Sequence, residues 1–160
     1  MIRAARPADA AEIAALWNEV IRTGAITFTT QDKTVPVIAR MIAERPVLVA
    51  EGSGRFQGFA TFGPFRSGPG YADAAEHTIM LAPGARGRGL GRALLAALEA
   101  EARARGILHL VAGISGSNPP AVAFHAAMGF AQMGRMPEIG HKHGARHDLV
   151  LMMKKLAPAT

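Results

Sequence analysis

The chain has 160 residues and a formal net charge of +6, with 49% hydrophobic and 19% charged residues, a balance that suits a folded protein with a sizeable core and argues against disorder. No apolar run nears the roughly 20 residues of a membrane-spanning helix, and the polar start MIRAARPADAAEI lacks the apolar core of a signal peptide, so the cytoplasm is the expected location. The lack of cysteine excludes disulfides, thiolate metal sites and cysteine nucleophiles, while the positive balance favours a polyanionic partner (nucleic acid, a membrane surface or a phosphorylated cofactor) or serves solubility alone.

In chain order, IRAA reads as a short opening strand. Pro7 and Asp9 then open a helix carrying Ile13, Leu16, Trp17, Val20 and Ile21 at helical spacing. TGAITFTTQDKT reads as a loop, and a second helix is expected over residues 35–44, stopping before Pro46. Val47 to Glu51, the turn GSGR and Phe56 to Phe62 read as a β-hairpin. A Gly- and Pro-rich loop leads to a strand over residues 76–81. A long helix is expected from about Leu90 to Arg105, closed by Gly106. ILHLVAGI reads as a buried strand, and SGSNPPAVAFHAAMGF as a loop, a short helix and a turn. Two last strands, residues 130–136 and 148–155, are expected to flank a His-rich loop, GHKHGARH. The order β-α-α-β-β-β-α-β-α-β-β predicts a mixed α/β domain around one sheet. One domain is expected over residues 1–156, with a frayed tail over residues 157–160.

The segment GARGRGLGRALL places four glycines and three arginines at the mouth of a helix. A helix begins with unpartnered N–H groups and partial positive charge. Glycines let a ligand approach the main chain, and successive amides can cradle an anion. Arg86 and Arg88 add forked donors for phosphate oxygens. The loop therefore suits a diphosphate; the alternative is a tight turn with its arginines in solvent. It lacks the Gly-Lys-Ser/Thr of a P-loop, and its glycine spacing does not fit the dinucleotide fingerprint.

Arg86-Gly-Arg-Gly-Leu-Gly91, after a strand and opening an amphipathic helix, resembles the acetyl-CoA loop of the GNAT N-acetyltransferase superfamily. Asn118 to Phe130 resembles that family's Asn-x-x-Ala…Tyr-x-x-x-Gly-Phe segment, with His125 at the tyrosine position. ITFTTQDKT, PFRSGPGYADAAEHTIML, LHLVAGISGSN and HKHGARHDLVLM are similar to the phosphinothricin and methionine sulfoximine N-acetyltransferase branch, matching it at Phe28, Pro64, Phe65, Arg66, Tyr71, Glu76, His125, Lys142, Gly144 and Asp148. His143, Ala145 and Arg146 depart from that branch's Phe, Arg and Trp.

The resemblance implies an α+β fold: a mixed, mostly antiparallel sheet flanked by helices and splayed between its fourth and fifth strands. It implies acetyl transfer from acetyl-CoA to the primary amine of a small amino-acid-like acceptor, and a homodimer. Ile79, Met80 and Leu81 would pair with the pantetheine arm, residues Arg86, Gly87, Arg88, Gly89, Leu90 and Gly91 would hold the pyrophosphate, and Asn118 would contact the cofactor at the split. Glu76 is the candidate base, or the residue that binds the acceptor's ammonium. His125 is the candidate acid for the departing thiolate, or a packed structural residue. Phe28, Arg66 and Tyr71 are candidates for the acceptor pocket, with Arg66 able to pair with a substrate carboxylate. A polyamine, an aminoglycoside or a protein N-terminus is the alternative acceptor within the family. A basic nucleic-acid-binding domain is the non-enzymatic alternative; with 6% aromatics it lacks the stacking residues such a surface needs. His141, His143, His147 and Asp148 invite a metal reading, but Gly144 breaks any helix there and no HExxH spacing is present, so no metal is expected.

Overall fold

A computed structural model describes residues 1–159; of the expected tail, residue 160 lies outside the described residues. The element order is β1 (Ile2–Ala4), α1 (Ala10–Arg22), α2 (Val35–Glu44), β2 (Val47–Gly52), β3 (Arg55–Pro64), β4 (Ala74–Leu81), α3 (Leu90–Ala104), β5 (His109–Ser115), α4 (Pro119–Ala127), β6 (Ala131–Lys142) and β7 (Ala145–Lys155). Pro7–Asp9 forms a 3-10 turn before α1 rather than its first helical turn. All seven strands lie in one sheet of order β1-β2-β3-β4-β5-β7-β6. Every neighbouring pair is antiparallel except β4–β5.

Period-2 alternation divides the core into two layers. Ala75, Ile79 and Leu81 of β4 pack on the α3 side, with Leu94, Leu95, Leu98 and Ala102. Met80 packs on the other side, with Ile13, Leu16, Ile38 and Met41 of α1 and α2. Burial of the three α3 leucines contributes roughly 1.5–3 kcal/mol each. The α3 helix ends in a Schellman arrangement: Ile107 N–H donates to the Ala102 carbonyl, Gly106 N–H donates to that of Arg103, and Gly106 takes a φ of +80°. Lys154 Nζ donates to both Glu99 oxygens (3.0 and 2.9 Å) and to the Met128 carbonyl (2.8 Å), tying β7 to α3 and to the end of α4.

The last hairpin corrects one expectation. GHKHGARH is not a loop. β6 and β7 pair as far as Lys142 opposite Ala145, and only His143 and Gly144, both at positive φ, make the turn. A register shift between Met136 and Gly140, with Glu138 at φ +54°, breaks the alternation that would have announced a strand.

Candidate active site

The site is opened by a strand pair that stops early. β4 and β5 pair only over Ala74–Glu76 against His109–Val111. Beyond that they diverge, while β4 continues to pair with β3 up to Leu81 opposite Gly58. The Ala74 carbonyl accepts from Phe65 and the Ala82 amide donates to Gln57. Even-numbered residues of β4 therefore turn their main chain toward β3, and odd-numbered ones turn it toward β5. Past the paired segment, the amides and carbonyls of Ile79 and Leu81 face the open split. Met80 is directed differently: its main chain serves β3, and its side chain lines the cleft.

A cavity of about 320 Å³ fills the split and passes through the sheet. One side is lined by Trp17, Phe28, Thr78, Met80 and Leu149, the other by His77, Ile79, Asn118, Ala121 and His125. Its roof on the first side is the α1–α2 loop, which contributes Ile26, Thr27, Phe28, Thr29 and Lys33. Asn118, just ahead of α4, has no side-chain hydrogen bond within the protein among the described residues and keeps its amide free for a ligand.

Glu76 is only partly exposed and stands at the last position of β4 that pairs with β5. Its carboxylate lies across Gly113, where an added Cβ would sit 3.0 Å from Oε2. Glu76 itself does not line the cavity; its carboxylate lies against Gly113, which does. Partial burial raises the Glu76 pKa above the usual carboxylate value, and the Arg66 charge opposes that shift.

The glycine loop has the properties an anion needs. Gly84, Gly87 and Gly89 take φ of +81°, +76° and +78°, and an added Cβ at any of them would meet open space. Gly89 caps α3, whose first internal hydrogen bond runs from Ala93 N–H to Gly89. The amides of residues 86–89, and of Leu90 and Gly91 in the first helical turn, have no protein acceptor among the described residues. Arg86 and Arg88 are exposed beside them, with Arg88 touching Gln57 at 3.1 Å. Gly91 instead serves packing, with Leu81 and Phe124 each 3.4 Å from where its Cβ would be. These groups fit a diphosphate at the end of a chain running along Ile79 and Leu81.

His125 is buried, and both its ring nitrogens are engaged. Nδ1–H donates to the Ala121 carbonyl at 2.7 Å, and Nε2 lies 2.9 Å from Nε2 of His77. A carbonyl only accepts, so the proton of neutral His125 sits on Nδ1. The proton between the rings then belongs to His77, whose Nδ1 is left buried without a partner. Burial lowers both pKa values. That of His77 falls to about 3, through burial first and the adjacent imidazole second. The sequence reading passed over His77, although a histidine in phase with Ala75, Ile79 and Leu81 is directed inward.

Arg66 and Tyr71 are not brought into this cavity. They line a second one of about 400 Å³, with Arg45, Phe62 and Arg105, at the other end of the β3–β4 pair. The His-rich residues also do not converge. Asp148 accepts from Arg135 Nε at 2.6 Å and from the Glu138 amide at 2.8 Å. His147 stacks on Phe28, and His143 occupies the hairpin turn.

The sequence matches the acetyltransferase (GNAT) family model over residues 13–130. The chain is 39% identical to the L-amino acid N-acyltransferase MnaT of Escherichia coli K12, over 99% of its own length and 95% of that protein's. It is 38% identical to an L-methionine sulfoximine/L-methionine sulfone acetyltransferase of Salmonella typhimurium, over 97% and 94% of the two chains. The fold superposes with a TM-score of 0.92 on a GNAT superfamily phosphinothricin acetyltransferase from Sinorhizobium meliloti in complex with acetyl-CoA, at 31% identity, covering 98% of this chain and 88% of that one. A sheet split after Glu76, a bare amide loop opening α3 and these likenesses converge: the chain belongs to the acetyltransferase (GNAT) family and is an N-acetyltransferase.

Proposed function

We propose that the protein transfers an acetyl group from acetyl-CoA to the primary amine of a small amino acid or amino-acid analogue of the methionine sulfoximine or phosphinothricin type. The observation that carries this reading is the divergence of β4 and β5. It leaves the Ile79 and Leu81 main chain free along the split and opens an apolar, aromatic-walled cleft whose Gly113 lies against the Glu76 carboxylate. The names of the relatives supply the acceptor class.

Glu76, directly or through a water, takes the proton the amine must lose to attack the thioester carbonyl carbon. A main-chain N–H on the open edge of β4 would stabilise the oxygen of that carbonyl, an effect of about 3 kcal/mol in typical acyl transfer. The carbon–sulfur bond then breaks, and the thiolate takes up a proton. His125 supplies that proton only if the His77–His125 pair first gains one, because its own Nδ1–H is committed to Ala121. Residues 86–91 and Asn118 hold the coenzyme, and Phe28 walls the acceptor side. Arg66, whose charge reaches Glu76 from the second cavity, would hold an acceptor carboxylate only if the acceptor extends beyond the cleft.

Acetyl-CoA consumption over amino acids, methionine sulfoximine, phosphinothricin, polyamines and peptides tests the reading. Turnover with the amino-acid group is expected, and transfer only to peptides or polyamines would refute it. Gly89→Val, which forces a β-branched residue into the left-handed region and over the amides, should weaken acetyl-CoA binding by an order of magnitude or more. Unchanged affinity would detach the loop from the coenzyme.

A further inference from the structure

Lys142 is the longest charged side chain in the protein's interior, 2% exposed. It lies at the end of β6 and faces no carboxylate among the described residues. Its ammonium donates to the Ile21 carbonyl at 2.6 Å, the Thr27 carbonyl at 2.8 Å and Thr27 Oγ1 at 3.2 Å. Three donors meet three acceptors, so the charge is fully engaged. Ile21 lies in the last turn of α1, where carbonyls lack helical partners and attract cations. Thr27 belongs to the loop that roofs the cleft.

Two residues earlier on the same strand, Gly140 makes room for the next loop residue. An added Cβ there would stand 2.5 Å from two atoms of the Phe28 ring. Gly140 pairs with His147, whose ring stacks on Phe28 at 6.0 Å between centroids and 16° between planes. The far end of the loop is clamped separately. Asn18 donates to the Lys33 carbonyl and accepts from the Lys33 amide, and Lys33 Nζ lies 4.8 Å from the Trp17 ring centre.

We infer that Lys142, seconded by Gly140, is a positioning residue for the acceptor half of the cleft: it seats Thr27 and Phe28 over the split, and so sets acceptor affinity and selectivity without touching substrate. This inference rests on the acceptor reading given above. The coenzyme half, residues 86–91 and the open edge of β4, shares no hydrogen bond with the Lys142 ammonium and is predicted to be indifferent to it.

Lys142→Met keeps the apolar stem and removes the charge. Gly140→Ala leaves Lys142 intact and displaces Phe28 by contact alone. Each is expected to raise the acceptor KM about tenfold or more, as misplacement of a positioning group does, to alter the ranking of amino-acid acceptors, and to leave the KM for acetyl-CoA unchanged. Lys142→Arg should recover part of the acceptor KM. Trp17 is the one tryptophan in the chain and lines the same cavity, so acrylamide quenching of its fluorescence should increase in both variants. The inference is overturned if both KM values rise together, or if acceptor KM and quenching stay at wild-type levels in folded variants. A wild-type enzyme that acetylates no amino acid would refute the acceptor reading instead, and the quenching measurement would still decide where the loop sits.

Discussion

A carboxylate laid across a glycine ties local environment to rate. Glu76 reaches over Gly113 because nothing larger occupies that position, and partial burial raises its pKa. A base works only when ionised. The acid limb of kcat/KM is therefore expected to rise through a midpoint above the roughly 4.3 of an ordinary glutamate. Glu76→Gln should lower kcat about 100-fold, flatten that limb and spare acetyl-CoA binding. Wild-type turnover across the pH range would remove Glu76 from the chemistry. Alternation separates the neighbours: Glu76 lies against Gly113 on one face of the sheet, while His77, one residue on, faces His125 on the other.

Individual elements are joined by a few partly buried ion pairs. Lys154 of β7 meets Glu99 of α3, which is 4% exposed, and the carbonyl of Met128 just past α4. Arg103 reaches the same carboxylate only at 3.5 Å. Lys154→Met would leave Glu99 with that single longer contact and the Met128 carbonyl unpaired. Leaving a buried polar group without its partner costs about 1–3 kcal/mol. A fall of that size in urea-derived stability is expected, together with looser packing of α4 near His125. A change under about 0.5 kcal/mol, the range of ordinary surface substitutions, would show that Arg103 suffices. A second network holds the sheet's first edge: Arg3 bridges Asp9, through its two terminal guanidinium nitrogens, and Glu51, and holds both carboxyls below the usual range.

For the molecule as a whole, the buried histidine pair links stability to pH. The folded His77 pKa, about 3, lies below the unfolded value of about 6.5. The unfolded chain therefore binds a proton first as the pH falls. The stability contributed by the neutral ring is complete above about 6.5 and is lost progressively as the pH drops toward about 3. His77→Phe should flatten the pH dependence of the urea midpoint between pH 6.5 and 4, and lower the midpoint at pH 7.5 by leaving His125 Nε2 unpartnered. An unchanged slope would mean that the pair is not buried in its neutral form. Element order and the glycine turn that opens α3 were legible in the sequence because each rests on local chemistry: hydrophobic period, helix capping and the conformational freedom of Gly87 and Gly89. The sequence could not reveal that β4 turns Ile79 and Leu81, but not Met80, toward the split, or that Arg66 and Tyr71 belong to a second cavity. It also could not reveal that Lys142 holds Thr27 across 115 residues of chain. Those facts depend on strand register and on contacts between distant segments. Residue spacing encodes which face a side chain takes, but only the packed sheet decides what that face meets.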